Sequence, residues 1–339
     1  MFLTIRKLLI INTIILLSLT ACLDKSTEKR GSLNKNNDKE VVVQKYYAPL
    51  TGLEVKHDSS DNRVIAVMLN NHNKARPQSG LVKADIVYEL LAEGDITRLL
   101  AIYQSNYPEV VGPIRSARDY YIELANGFNA LYICHGNSPE AKVMLDQGVV
   151  DNLNGMQYDG VYFKRDKTRY APHNSYTGIE MISSGAEKRK YSLEGSPQSF
   201  NFIEKELKFD ETWAVGEKVT INYSRYDNYD VTYTYNSNKK TYERSQGGQQ
   251  TIDREEGPVY INNVVSIITT HEIQDSSGRR NVDLTNGGEA YIYQQGMHKK
   301  VQWENDNGII KLYENNVELP LLPGKTWINF IPDENYLIK

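Results

Sequence analysis

The 339 residues, 40% hydrophobic and 24% charged, hold enough apolar material for two domain-sized cores, which excludes disordered and fibrous classes. With 39 basic residues against 43 acidic ones, the net charge of -4 offers no global positive field, so no nucleic-acid partner is expected. Two cysteines, Cys22 and Cys134, cannot build a disulfide framework, and the six histidines are scattered, so neither a metal nor another cofactor is expected.

Arg6 and Lys7 precede an apolar run from Leu8 to Leu19 that ends in Leu19-Thr20-Ala21-Cys22. The run is too short to span a bilayer, and small residues before a cysteine suit cleavage followed by acylation. Residues 1–22 are therefore read as a lipoprotein signal peptide, with Cys22 as the lipidated (palmitate-type) N-terminus at the extracytoplasmic face of the cell membrane. Residues 23–45 are polar and charged, a composition that forms a flexible tether.

Residues 46–195 read as an N-terminal α/β domain. Val64–Leu69 has strand length and composition, and Asp85–Ala92 and Leu99–Gln104 flank Gly94-Asp95 as the arms of a hairpin. Ser116 is expected to cap a helix from Asp119 to Ala125 that stops at Asn126-Gly127. Ala130–Cys134 reads as a buried strand, in which Cys134 is an inert thiol. A second helix is marked by Ser138 as N-cap, Pro139 at its first position and Gly148 as terminator.

Residues 196–339 read as a β-rich C-terminal domain, making the whole chain α+β. Thr220–Tyr223, Val231–Tyr235 and Thr241-Tyr242 alternate with polar residues, as half-exposed antiparallel strands do. Val259–Thr270 reads as one longer strand, and Tyr291–Tyr293 faces Val301–Trp303 across Gly296. Tyr223, Tyr226, Tyr229, Tyr233 and Tyr235 gather on this sheet, either as a glycan- or protein-binding face or as a packing layer.

The motifs Pro49-Leu50-Thr51-Gly52-Leu53, Asn70 to Gly80 (NNHNKARPQSG), Lys83 to Glu89 (KADIVYE), Val111 to Asp119 (VGPIRSARD), His135 to Pro139 (HGNSP), Pro172 to Thr177 (PHNSYT) and Leu322 to Asn329 (LPGKTWIN) resemble the YerB family of Firmicute lipoproteins. The resemblance covers nearly the whole chain after the signal. It implies an envelope lipoprotein with an α/β N-terminal domain, a second C-terminal domain and no assigned biochemical activity.

The residues themselves point to an anion. Arg115 and Arg118 bracket the expected start of a helix, where backbone N–H groups and guanidinium forks can hold a phosphate or carboxylate together. In the other reading, Asp119 pairs with an arginine there and the cluster is structural. His135-Gly136-Asn137-Ser138 lies between a strand and a helix N-terminus, a usual ligand position in α/β sheets. Two polar loops, containing Arg76 and His173, complete a surface that would join Arg98, Arg115 and Arg118 if the chain brings them together. Anion-binding candidates are thus Arg76, Arg98, Arg115, Ser116, Arg118, Asn137 and Ser138, and acid/base candidates are Asp85, Asp119, His135 and His173.

The order of Asp85, a hairpin and Arg118-Asp119 also resembles, more loosely, the LytR-CpsA-Psr phosphotransferases, which implies chemistry on polyprenyl-phosphate-linked wall polymers. Two functions follow: a ligand- or partner-binding lipoprotein with an arginine-rich anion site, or a phosphotransferase or hydrolase using the same cleft. The partners implied are the membrane, through the lipid, and an anionic lipid phosphate, glycan or protein. No nucleophile elbow, phosphate loop or dinucleotide fingerprint is present.

Overall fold

The computed structural model describes residues 44–338 except positions 205, 225, 227 and 228. Cys22, the expected signal peptide and tether residues 23–43 lie outside the described residues. The apolar runs become strands: β1 (Ile65–Asn70), β2 (Ile86–Glu93) and β3 (Ile96–Tyr103). The hairpin between β2 and β3 turns at Gly94, whose φ of 56° lies in the left-handed region that glycine enters without strain. Next come α1 (Asp119–Gly127), β4 (Leu131–Cys134), α2 (Pro139–Asp146) and β5 (Asn152–Asn154). Then follow α3 (Gly155–Tyr158), β6 (Lys164–Arg165), β7 (Ser175–Tyr176) and α4 (Ile179–Arg189).

The later chain supplies β8 (Lys218–Ile221), β9 (Val231–Asn236), β10 (Thr241–Gln246), β11 (Tyr260–Ile261) and β12 (Asn263–Ile268). It continues with β13 (Gly288–Gln294), β14 (Met297–Asp306), β15 (Ile309–Glu314), β16 (Val317–Glu318), β17 (Thr326–Ile331) and β18 (Leu337–Ile338). β13 and β14 meet at Gln295-Gly296, where both residues have positive φ, the backbone of a tight two-residue hairpin turn.

The architecture is α+β. One sheet runs in the order β16, β15, β14, β13, β12, β17, β2, β3, β1, β4, β5, and the two-residue strand Ala214–Val215 lies against β14. β17 joins β2 in parallel, so strands from both ends of the chain share this sheet. β1, β4 and β5 are neighbours and run parallel, so their carboxyl ends lie along one sheet edge. The central strands are buried on both faces, which is why their sequences read as continuous apolar runs rather than alternations.

Alternate residues of β1 serve two cores. Ala66 and Met68 pack with Tyr121, Leu124 and Ala125 of α1 and Ala141 of α2. Ile65, Val67 and Leu69 face the other side, which is covered by Ile182 and Ala186 of α4 and by a second sheet. That sheet holds β10, β9, β8 and β18 in order, with β11 and Gln249–Gln250 on β10. Its alternating sequences bury Val219, Ile221, Val231 and Tyr233, leave Thr220 and Thr232 half-buried and expose Lys218 and Thr234.

Three sequence expectations change here. Val259–Thr270 is two strands: β11 belongs to the second sheet and β12 to the first, with Asn262 between them bonded to the backbone of Lys325. The chain switches sheets at that residue, which an apolar run cannot announce. Ser116 does not cap α1, because residues 115–117 are extended and bonded between the ends of β1 and β4. The helix starts at Asp119, with Arg118 at the N-cap position. The tyrosines form no single face: Tyr223 and Tyr233 donate to Asn329 inside the core, whereas Tyr226 is exposed.

α1 ends on Gly127, which meets Gly308 in the β14–β15 turn backbone to backbone. A Cβ on Gly127 would come within 2.6 Å of the Gly308 Cα. Glycine to alanine inside a helix ordinarily stabilises by up to ~1 kcal/mol. Here Gly127→Ala should instead cost about 1–3 kcal/mol, as overpacking does. A urea-unfolding midpoint equal to or above that of the parent protein would refute this close packing.

Candidate functional site

The carboxyl ends of three adjacent parallel strands define the site. β1 delivers Asn70, β4 runs into His135-Gly136-Asn137, and β5 ends on Asn154. In open α/β sheets ligands gather at this edge, because backbone and loops diverge there and leave a crevice. The segment around Arg115 is clamped into it: the Arg115 N–H donates to Met68 and the His135 N–H donates to Arg115. A cleft of about 420 Å³ opens beside it, lined by Arg115, Ser116, His135, Asn137, Met156, Arg165, Pro172 and Ser175 among others.

The cleft floor is rigidly bonded. Asn154 accepts from the Gly136 N–H and the Met156 N–H, each at 3.0 Å, and its amide donates to Asn137 Oδ1 at 3.2 Å. Gly136 has φ 95°, and a Cβ there would sit 2.9 Å from Ser116 Oγ, so glycine suits both the turn and the close approach. Gly155 makes room for the His135 ring in the same way.

His135 sits between two partners. Arg165 Nη2 donates to its Nε2 at 3.0 Å, which leaves the proton on Nδ1, 2.7 Å from Ser175 Oγ. Accepting that bond requires a neutral ring, and burial and the Arg165 charge lower its pKa in the same sense. Arg165 is itself held in a fork by Asp159 and bonded to Asn174. With Nε2 committed to a guanidinium, His135 orients the cleft wall and has no free lone pair for proton abstraction.

The arginines divide. Arg98, 3% exposed, grips both carboxylate oxygens of Glu93 and donates to the Ser116 carbonyl at 2.7 Å. Arg118, 6% exposed, pairs with the same Glu93. Its ion-pair partner is therefore Glu93 rather than Asp119, which occupies the first turn of α1 with its pKa raised chiefly by burial. Arg115, between them in sequence, is half-buried and has no ion pair or side-chain hydrogen bond to any described residue. Burial and the nearby Arg98 charge push its pKa down to about 10.

Most of the remaining candidates disperse. Arg76 donates to the Gln246 carbonyl and lines a separate cavity of about 250 Å³ with Gln78 and Gln249. Ser138 caps α2 through the Ala141 N–H. Asp85 lies at the amino end of β2, the opposite end of the sheet, where it accepts from the N–H groups of Gln104 and Ser105 and from the Ser105 hydroxyl. Its pKa is raised by complete burial. His173 stacks on His72 at 4.7 Å near Arg115.

Sequence reasoning missed Glu93, which falls between the hairpin arm Asp85–Ala92 and the Gly94-Asp95 turn, and it did not single out His72 or Arg165 within their polar loops. Among the described residues no cluster of three metal-ligating side chains occurs, and no helix is long and apolar enough to cross a membrane.

Residues 50–192 match the N-terminal domain, and residues 219–328 the C-terminal domain, of a protein family of unknown function, DUF3048. The chain is 44% identical over 294 residues to the "Putative lipoprotein YerB" of Bacillus subtilis (strain 168), covering 86% of this chain and 88% of that protein. It belongs to this YerB-type family. The crystal structure of the YerB protein from Bacillus subtilis superposes with a TM-score of 0.81 at 42% identity, covering 86% of this chain and 98% of that one.

Proposed function

We propose that the protein is a lipid-anchored component of the cell envelope, held at the extracytoplasmic face of the membrane through Cys22, that binds an anionic ligand in the cleft around Arg115. The lipoprotein name of its relative and the Leu19-Thr20-Ala21-Cys22 sequence support the anchor. The observation that carries the binding reading is Arg115 itself. Two neighbouring arginines share one glutamate as counter-ion, and the third is left half-buried without a carboxylate against it. A buried cation without a partner is costly, and an incoming oxyanion relieves that cost with charge-assisted hydrogen bonds.

Binding is favoured over phosphoryl transfer because no carboxylate lines the cleft, and Asp85 is at the far end of the sheet. Titration with sulfate at constant ionic strength should raise the melting temperature, by mass action, toward about 2.7 kcal/mol of stabilisation at a hundredfold excess over Kd. Arg115→Gln should melt normally without sulfate and lose most of that increment. A parent protein that sulfate and inorganic phosphate leave unshifted would end the binding reading. The anchor is tested separately, by loss of Cys22→Ala from the membrane fraction.

A further inference from the structure

We propose that His72 and His173 are also anion-binding residues, acting as neutral imidazoles that each offer an Nε2–H beside Arg115. The inference rests on the reading of the cleft as an anion site and adds two donors at its rim: Pro172 lines the cleft with Arg115, and Asn70 Nδ2 bonds both the Pro172 carbonyl and the adjoining His173 ring.

The tautomers follow from the hydrogen bonds around Asn70. The Asn70 Oδ1 accepts from the His72 N–H at 3.0 Å, which fixes the orientation of the amide and makes Nδ2 its donor. That Nδ2 lies 2.9 Å from His173 Nδ1, so Nδ1 of His173 accepts and its proton sits on Nε2. His72 Nδ1 accepts from the Lys74 N–H at 3.1 Å, so its proton also sits on Nε2. One asparagine at the end of β1 and one backbone amide thus set both rings. The rings stack with 23° between their planes, and neither Nε2 has an acceptor among the described residues.

Charge agrees with the hydrogen bonds. The charged groups acting on the pair are Lys74, Arg76 and Arg115 for His72, and Arg115, Lys74 and Arg169 for His173, all of them cations. Burial acts in the same direction, so both rings resist a second proton. A second proton would also have to enter at Nδ1, breaking the bond to Lys74 or to Asn70. Fixed N–H donors in a cationic neighbourhood suit a fully ionised oxyanion, and their contribution does not require acid.

Two measurements on the full mature chain test this. Long-range proton–nitrogen spectra of the histidine rings should show the Nε2–H form for His72 and His173, and both resonances should move when sulfate is added. Sulfate does not titrate in this range, so its affinity should change by less than about twofold between pH 7.5 and 8.5, above the ordinary imidazole range, where donors with lowered pKa are neutral. His173→Phe, which keeps the ring and removes the donor, should weaken sulfate binding by about tenfold, as losing a hydrogen bond to a charged group does.

An Nδ1–H form in either ring would overturn the proposal, as would a tenfold fall in affinity toward pH 8.5. Sulfate binding that depends on Arg115 but leaves both histidine resonances unmoved would overturn the two donors while leaving the Arg115 site standing. Absence of any sulfate binding would remove both. The melting temperature of His173→Phe without sulfate separates lost binding from lost folding.

Discussion

Glu89→Gln should destabilise the protein by about 3–5 kcal/mol, the largest effect expected of any nearly isosteric change in this chain. Glu89 is fully buried on β2, facing Arg244 on β10 of the second sheet, whose Nη2 lies 2.9 Å from both carboxylate oxygens. The carboxylate also accepts from Trp327 Nε1 at 2.9 Å, Thr97 Oγ1 at 2.8 Å and Asn71 Nδ2 at 3.2 Å. Arg244 lies over the Trp327 ring, 4.7 Å from its centroid, and donates to Thr251. The amide would keep the size of the side chain but leave the guanidinium charge uncompensated in a site closed to water, and that desolvated charge dominates the loss. Replacing both partners, Glu89→Leu with Arg244→Met, removes the charges together and should recover much of the stability. Urea unfolding of the two single variants and the double variant measures the coupling. Additive losses would mean that the pair is not an energetic unit.

A second large effect is expected at Glu93, with opposite signs for stability and binding. Its carboxylate is the shared counter-ion of Arg98 and Arg118, and both guanidinium groups are almost wholly enclosed. Glu93→Gln should therefore cost about 2–4 kcal/mol, somewhat below a fully buried pair because Glu93 itself is partly open to solvent. The same change raises the net charge of this cluster by one and leaves Arg98, whose charge already acts on Arg115, without a counter-ion. The sulfate-dependent rise in melting temperature should then exceed that of the parent protein, even though the variant starts lower. A rise no larger than the parent's would show that the Arg98 and Arg118 charges do not reach the cleft.

What could be read from the sequence was whatever depended on neighbours in the chain. The apolar runs from Val64 and Asp85, the hairpin at Gly94-Asp95 and the Ser138-Pro139 helix start are local signals, and the structure reproduces them within a residue or two. Ser116 misled because its capping chemistry is sound locally, yet the ends of β1 and β4 hold the segment extended and the helix begins later. The division of the arginines was illegible for a related reason. Glu93 is close in sequence to Arg98 but far from Arg118, which reaches it only through the fold, so which arginine is left over is decided by tertiary pairing. Asp85 sits just before an apolar strand, and nothing in that local pattern says which end of the sheet it will occupy.

The parallel pairing of β2 with β17 also sets a clock. About 230 residues separate Glu93 from Thr326, so β2 is made long before the strand that covers its edge. At synthesis rates of about 5–20 residues per second, that edge waits tens of seconds for its partner. Its exposed amide and carbonyl groups can meanwhile pair with other chains. A chain that stays unfolded until synthesis is nearly over avoids such pairing, because its central sheet closes only when nearly the last strand has arrived.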